Sequence, residues 1–485
     1  MNVVVFFPGQ FVYEKYKARP DIIFFDERGW LVYEDGYRTA IDDCSSLAKE
    51  PYQDLPAAKD TISKLRMFGP IWSRWISHGD QYELILRDVL LDIYRVYRSL
   101  LKFKINAVIF GTGVTHHIDT LIFEQACVIA GIKQIFLYSN NIMLGRLLPL
   151  LQHHGIDDRC ALGAIISGEP ASPYITRFLE NKKLEIGPEC GGVLPNRVRH
   201  GYFFSFFALL MFLLRRPLRK LYLYLRQAGQ GTRSFTLKYE GLFGALDFSR
   251  QIRQQREACV YYRKSGLKSE NFQRTEGSEV KLLIAAHYQP EASSFPEGWD
   301  LHNHIDIAIE LRRLGYSGDI VYKEHLSTFY YTFPIIGFTR VGMYRSKRYY
   351  EELEQLGCRF LDSSFQLSLD PEKNNWYLPI TITGSIAVER SLAGFHTIVT
   401  GHPWYKGIPG AIPLSSIESL AEIKPEWVQQ DPELAKRASK FLDEMLSGKT
   451  ITNVSGIGIG VPLTGEEPKL KFSKEFDALL MALRS

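Results

Sequence analysis

Four segments in the second half of the chain share one pattern, an apolar and β-prone run that ends abruptly in polar residues. They are LLIAAHYQPEAS (282–293), DIVYKEH (319–325), TITGSIAVE (381–389) and TIVTGHPWYKG (397–407). An open parallel sheet binds its ligand in the crevice outside the carboxyl ends of its strands. If these runs are neighbouring strands, Glu291, Lys323, His325, Ser385 and His402 all arrive at one edge, which would be an active-site rim.

The first half repeats the α/β pattern. INAVIFGTG (105–113) reads as a buried strand, followed by a loop carrying Thr115, His116 and His117. DTLIFEQACVIAGI then places apolar residues near the helical spacing, with Gly131 as its stop, and KQIFLYSNN reads as the next strand. Strand, helix and strand in this succession predict a βαβ unit of a parallel sheet. Residues 80–104 predict a strongly amphipathic helix. The organisation expected is an α/β domain over 1–190, a helical segment and linker over 191–278, a second α/β domain over 279–450, and a tail over 451–485. The amphipathic end of that tail, KFSKEFDALLMALRS, is expected to pack back on the N-terminal domain.

Residues 197–226 differ in kind. YFFSFFALLMFLL (202–214) is flanked by Arg197, Arg199 and His200 on one side and by Arg215, Arg216, Arg219 and Lys220 on the other. The apolar run is shorter than the roughly 20 residues that cross a bilayer. Bulky apolar side chains beside dense Arg and Lys suit a helix lying at a membrane interface; a buried interdomain helix with basic ends is the other reading.

Composition narrows the classes further. A formal charge of +4 on 485 residues, with 45% apolar and 23% charged residues, is that of a globular protein and disfavours a general nucleic-acid binder. Cys44, Cys127, Cys160, Cys190, Cys259 and Cys358 form no CxxC pair, so reduced thiols in a cytoplasmic protein are expected, with no zinc site. The N-terminal MNVVVFFPGQ lacks a basic leader and reads as a first strand ending in a Pro-Gly turn rather than a signal peptide. There is no Walker A pattern, no GxGxxG after a first strand, no HExxH and no GxSxG elbow, which sets aside the corresponding ATPase, dehydrogenase, zinc protease and serine hydrolase readings.

Each polar tip has its own chemistry. Pro290 removes a backbone donor and holds Gln289 extended, so the first strand should end there and project Glu291 from a loop, as a general base, a nucleophile, a hydroxyl acceptor or simply a solvated carboxylate. Lys323 and His325 alternate with Glu324 and can point to one side, offering cations to a phosphate or a carboxylate. In TITGSIAVERSLAG the strand passes through Gly384 into Ser385 and a helix, a site for phosphate binding or for plain N-capping by Ser385. His402 follows Gly401, where backbone can approach a ligand closely, and Trp404 or Tyr405 can stack on a planar base. Asp362, ending CRFLDSS, is a second carboxylate or the cap of the next segment.

Taken together, HYQPEAS at 287–293, KEH at 323–325, Arg345 in MYRSKRYY, TITGSIAVE at 381–389 and GHPWYKG at 401–407 resemble, in order and spacing, the bacterial capsule polysaccharide biosynthesis family, and within it the retaining β-Kdo glycosyltransferases. The likeness covers about residues 280–410. It implies a GT-B-like α/β enzyme, with two Rossmann-type parallel-sheet domains facing a cleft and residues 191–278 as a membrane-associating helical insertion. It implies a CMP-activated donor, CMP-Kdo foremost, no cofactor or metal, and transfer with retention by double displacement through a protein carboxylate. Carried over by motif, Gln289, Lys323, His325, Arg345, Gly384, Ser385 and Tyr405 would bind the donor, and Glu291, Asp362 and His402 would be catalytic. Asp362 is the first choice for nucleophile, with Asp370 and Glu291 behind it, while His116 and His117 would lie on the acceptor side. The acceptor would be a surface-polysaccharide glycan on a lipid carrier, and the enzyme a cytoplasmic protein bound peripherally to the inner face of the membrane.

Two departures from the family pattern stand out. Leu326 follows KEH where proline is usual, and the segment DPEKNNWYLPI (370–380) lacks the acidic residue often found just before the TITGS strand. A different CMP-nonulosonic acid, a UDP- or GDP-hexose, or a non-catalytic assembly scaffold are the alternatives that stay open.

Overall fold

The computed structural model describes residues 2–6, 10–25, 82–111, 118–140, 142–154, 158–183, 254, 257–266, 280–287, 297–298, 301–325, 328, 345–362, 367, 376–454 and 463–484. Thr115, His116, His117, Gln289, Glu291, Asp370 and the whole basic-aromatic segment 197–226 lie outside the described residues. The chain forms two compact units: Met1–Ile175 with Gln230–Tyr239 and Asp443–Ser485, and Thr176–Gly229 with Glu240–Leu442.

Unit 1 opens with β1 (Asn2–Phe6), α1 (Gln10–Tyr16) and β2 (Ile22–Phe25), then α2 (Tyr82–Lys102), β3 (Ile105–Phe110), α3 (Ile118–Ala130) and β4 (Lys133–Ser139). These four strands pair in parallel, β2 and β3 flanking β1 and β4 beyond β3. NVVVF and INAVIF are buried almost throughout because helices cover both faces of the sheet. Strand alternation divides them: Val3, Val5, Ala107 and Ile109 enter one core, while Phe6, Phe110, Phe123 and Phe136 pack against one another on the face of α3. The sheet is not parallel throughout, as the βαβ pattern predicted. β5 (Arg146–Gln152) returns antiparallel to β4, and β6 (Cys160–Ala161) antiparallel to β5. The connection from Ser139 to Arg146 is too short for a crossover helix, so the strand must turn back.

Unit 2 holds a six-stranded sheet in the order β12-β11-β10-β7-β8-β9, every pairing parallel. Its strands are β7 (Lys281–Ala285), β8 (Ile320–Lys323), β9 (Cys358–Leu361), β10 (Tyr377–Thr381), β11 (Thr397–Val399) and β12 (Ala411–Pro413), with α4 (His304–Arg313) after β7, α5 (Lys347–Gln355) after β8 and α6 (Ile386–Leu392) after β10. The chain moves from β7 outward to β9, then returns to β10 on the other side of β7 and moves outward again to β12. That is the strand order of a doubly wound Rossmann sheet, with its topological switch between β7 and β10. Leu282, Ile284, Leu378 and Ile380 meet Ile307, Leu311, Tyr350 and Leu353 of the helices, while Leu283, Val321, Leu361 and Trp376 pack on the opposite face.

The chain then returns to unit 1. β13 (Ile451–Thr452) pairs antiparallel with β5, and α7 (Glu466–Ala482) lays Phe472, Phe476, Leu479 and Leu480 into the core that holds Val3 and Val5. Those positions recur at helical spacing and form one apolar stripe. The tail helix thus packs on the N-terminal strands.

Candidate functional site: the carboxyl edge of the second sheet

Because all six strands of unit 2 run the same way, every strand exit lies on one edge. Ala285 is level with Lys323, and Lys323 with Leu361; Thr381 is level with Val399. The residues that follow are His287 after β7, Glu324 and His325 after β8, Asp362 after β9, Thr383, Gly384 and Ser385 after β10, and His402 after β11. Lys323, His325, Ser385 and His402 are therefore brought to a single edge, around the switch between β7 and β10. Asp362 also reaches it, but exposed and two strands out from β7, about 10 Å at the usual strand spacing.

The seam between β7 and β10 is locked by His287. Its Nε2 accepts from the Thr383 backbone N–H at 3.2 Å and lies 3.0 Å from the Thr381 hydroxyl. The Thr381 oxygen accepts in turn from Gly384 N–H at 3.1 Å. Burial holds the imidazole neutral, pushing its pKa down to about 3, with the charges on His325 and Arg345 acting the same way. Two glycines permit this closeness: a Cβ on Gly384 would stand 2.5 Å from the Thr381 hydroxyl oxygen, and one on Gly401 2.6 Å from the Glu297 carbonyl. That same carbonyl accepts from His402 N–H at 2.7 Å, fixing the start of GHPWYKG.

Ser385 does not cap the helix it precedes. Its backbone is already helical, with φ −57° and ψ −20°, so the hydroxyl cannot turn back to the first N–H groups. It donates instead to Glu389 Oε1 at 2.9 Å. Tyr405 is fully buried, and its hydroxyl donates to the Gly384 carbonyl at 2.7 Å, so it braces the TG turn from beneath rather than offering a ring face to a base. Half-buried Trp404 stands edge-on to it.

Arg345 is also inside. Ser346 caps α5 by accepting from Tyr349 N–H at 3.1 Å, and this start of α5 delivers Arg345 and Tyr350 to Glu324 and Tyr349 to Tyr322. Glu324 Oε2 accepts from Arg345 Nε at 2.6 Å, Tyr350 at 2.8 Å and Tyr322 at 2.9 Å. Oε1 accepts from His325 N–H at 2.8 Å and the Thr328 hydroxyl at 3.1 Å. Neither Glu324 nor Arg345 shows any exposed surface. Burial pushes the Glu324 carboxyl up, but the Arg345 guanidinium and these hydrogen bonds outweigh it and hold the group below its ordinary value.

The network extends to the start of α4. His304 Nε2 accepts from His287 N–H at 3.1 Å, and its Nδ1 stands 3.3 Å from the Tyr349 hydroxyl and 3.2 Å from Arg345 Nη2. Tyr349 then donates to Tyr322 at 3.3 Å, and Tyr322 to Glu324. Burial, with Arg345 nearby, holds His304 neutral as well. Arg345 Nη2 donates to the His287 carbonyl at 3.2 Å, and its guanidinium lies over the Tyr349 ring at 4.5 Å. The sequence reading missed Glu324, His287 and His304. Alternation in KEH was the available signal, since a residue facing opposite Lys323 and His325 must enter the interior.

Among the described residues no cluster of His, Cys, Asp or Glu is arranged to hold a metal ion, and no helix is long and apolar enough to cross a membrane. Neither a family model nor a curated protein matches the chain. Among solved structures the chain is similar to KpsC of Thermosulfurimonas dismutans, a beta Kdo 2,7 transferase, at 12% identity over 50% of this chain and 66% of that one, with a TM-score of 0.21. The match spans just under two thirds of that protein's length.

Proposed function

We propose that the protein is a glycosyltransferase whose second unit binds a CMP-activated acidic sugar, of the Kdo type, at the carboxyl edge of its parallel sheet. The observation that carries the reading is the gathering of the HYQPEAS, KEH, TITGS and GHPWYKG exits around one topological switch point. A doubly wound sheet binds its ligand there, and the residue types suit this one. Lys323 and His325 on one flank and His402 on the other supply cationic or donor groups for a phosphate and a sugar carboxylate. The Gly384 and Gly401 turns, packed tightly against the Thr381 hydroxyl and the Glu297 carbonyl, hold these exits in place.

The chemistry is double displacement with retention. A carboxylate attacks the anomeric carbon as the bond to the CMP oxygen breaks and CMP departs. The acceptor hydroxyl, giving up its proton to a base, then displaces the carboxylate from the opposite face. The transition state resembles an oxocarbenium ion beside the sugar's own carboxylate, so the attacking carboxylate meets the positive ring while preorganised cations serve the departing phosphate and the sugar carboxylate. Glu291 lies six residues past the end of β7 in sequence, whereas Asp362 immediately follows β9, two strands out from β7. We therefore place Glu291 ahead of Asp362 as the nucleophile, with His402 assisting the leaving phosphate. A GT-B arrangement, with His116 and His117 on the acceptor side and residues 197–226 resting on the membrane that carries a lipid-linked glycan, completes the reading.

Calorimetric titration of the full chain with CMP, UDP and GDP tests the donor class. CMP is expected to bind at least tenfold tighter than the others; a clear preference for UDP would replace the CMP-sugar reading by a hexosyltransferase one. Intact-mass trapping of a sugar adduct that Glu291→Gln abolishes and Asp362→Asn leaves in place is the result expected for the nucleophile.

A further inference from the structure

We propose that Glu324 and Arg345 are positioning residues of the edge site, their buried ion pair fixing the Lys323–His325 tip and the exit of β7 relative to each other. The ligand they serve rests on the functional reading above; the geometry does not.

The two carboxylate oxygens divide the work. Oε2 takes three side-chain donors from within, Arg345, Tyr322 and Tyr350. Oε1 is left for the chain that leads out of β8, the His325 N–H and the Thr328 hydroxyl. The direction of the carboxylate is thus set from behind, by a chain running from His304 through Tyr349 and Tyr322, and is transmitted to the tip in front. Arg345 holds the neighbouring exit through the His287 carbonyl, and the His287 ring holds the TG turn of β10. Three successive strand exits, β8, β7 and β10, are tied by one polar chain.

A buried ion pair is weak evidence for a purely stabilising role, because apolar side chains of similar volume often do as well or better. What apolar side chains cannot do is accept a backbone N–H from a loop in a set direction. Lys323 and His325 were the residues legible as ligand contacts; Glu324 between them is the residue that aims them.

The test is a double-mutant cycle in the full-length protein, read as CMP affinity. Glu324→Gln and His325→Ala are each expected to weaken CMP about tenfold, and the double variant no more than about twofold beyond either single one, because a misplaced His325 has nothing left to lose. Additive losses, about a hundredfold together, would overturn the proposal. Should Glu324→Gln fail to fold with Arg345 left unpaired, Glu324→Gln with Arg345→Gln removes both charges, and the same coupling to His325 is expected. Hydrogen exchange gives a readout independent of any ligand. The amides of 324–328 are expected to exchange about tenfold faster in the neutralised variant while those of α7 in unit 1 stay unchanged. Unaltered exchange at 324–328 would refute the positioning role even if CMP never binds, and accelerated exchange without CMP binding would refute only the functional reading.

Discussion

Among the described residues each unit contains a buried arginine–glutamate pair, and the two are built to different ends. In unit 1 Arg146, on β5, donates to Thr450 Oγ1, Thr452 Oγ1 and the Thr450 carbonyl at 3.1, 2.7 and 2.6 Å. It lies 2.9 Å from Glu475 of α7. Glu475 Oε2 in turn accepts from the Thr452 N–H and hydroxyl at 2.6 and 2.7 Å. Every partner belongs to β5, α7, β13 or the residue just before it, so the pair is a clasp that ties the returning tail to the sheet. In unit 2 Glu324 and Arg345 reach outward as well, to His325, Thr328 and the His287 carbonyl. Two neutral histidines stand beside that pair, whereas threonines surround the first. One ion pair closes the fold, and the other carries the polar edge.

Removing the arginine from either pair breaks the comparison most severely. Arg146→Ala and Arg345→Ala each leave a buried carboxylate without its cation and are expected to cost about 3–5 kcal/mol in urea unfolding. Only Arg345→Ala should also weaken CMP; equal loss of CMP binding in Arg146→Ala would erase the distinction between clasp and support.

Acid should separate the units next. His287 is held neutral down to about pH 3 in the fold, while an unfolded histidine titrates near 6.5. Between these values the unfolded state binds the extra proton, so stability is present above pH 6.5 and is lost as pH falls. His287 alone should cost about 2 kcal/mol by pH 5, and His304 shifts in the same direction. Hydrogen exchange at pH 7 and pH 5 checks this: the amides of β7 and α4 are expected to lose protection before those of β1 and α7, and His287→Gln to reduce the difference.

Smaller effects probe the turns. Gly401→Ala drives a Cβ against the Glu297 carbonyl, a backbone atom that cannot swing away, and should cost about 1–3 kcal/mol in thermal unfolding. Tyr350→Phe deletes one of five donors to Glu324 and should cost about 1 kcal/mol with CMP affinity nearly unchanged, since Oε1 keeps both of its bonds to the tip.

Much of the edge was legible because β-prone runs and polar tips are local signals. Lys323, His325, Ser385 and His402 share the edge that the pattern predicted. Strand order was not legible, because nothing within CRFLDSS or TITGSIAVE says that β9 is outermost and that β10 sits against β7. For that reason the sequence could offer Asp362 as a second carboxylate of the site without showing that its strand is two out from β7. Arg345 and Tyr405 read as ligand contacts by their motifs, yet both turn inward because carboxylate and carbonyl acceptors wait there. Ser385 shows a subtler limit: a serine before a helical run implies a cap only if its own backbone stays extended, and here it has already entered the helix. In unit 1 the parallel signal of β3 and β4 was sound, but the reversal at β5 depends on a short connection whose geometry the apolar pattern of RLLPLLQ does not carry.

A crystal structure of the full chain soaked with CMP tests the central claim most directly. The expected result is nucleotide density in the crevice between the exits of β7 and β10, with its phosphate within hydrogen-bonding reach of groups following β8, β10 or β11. Nucleotide at the amino edge of that sheet, or on the sheet of unit 1 alone, would contradict the account.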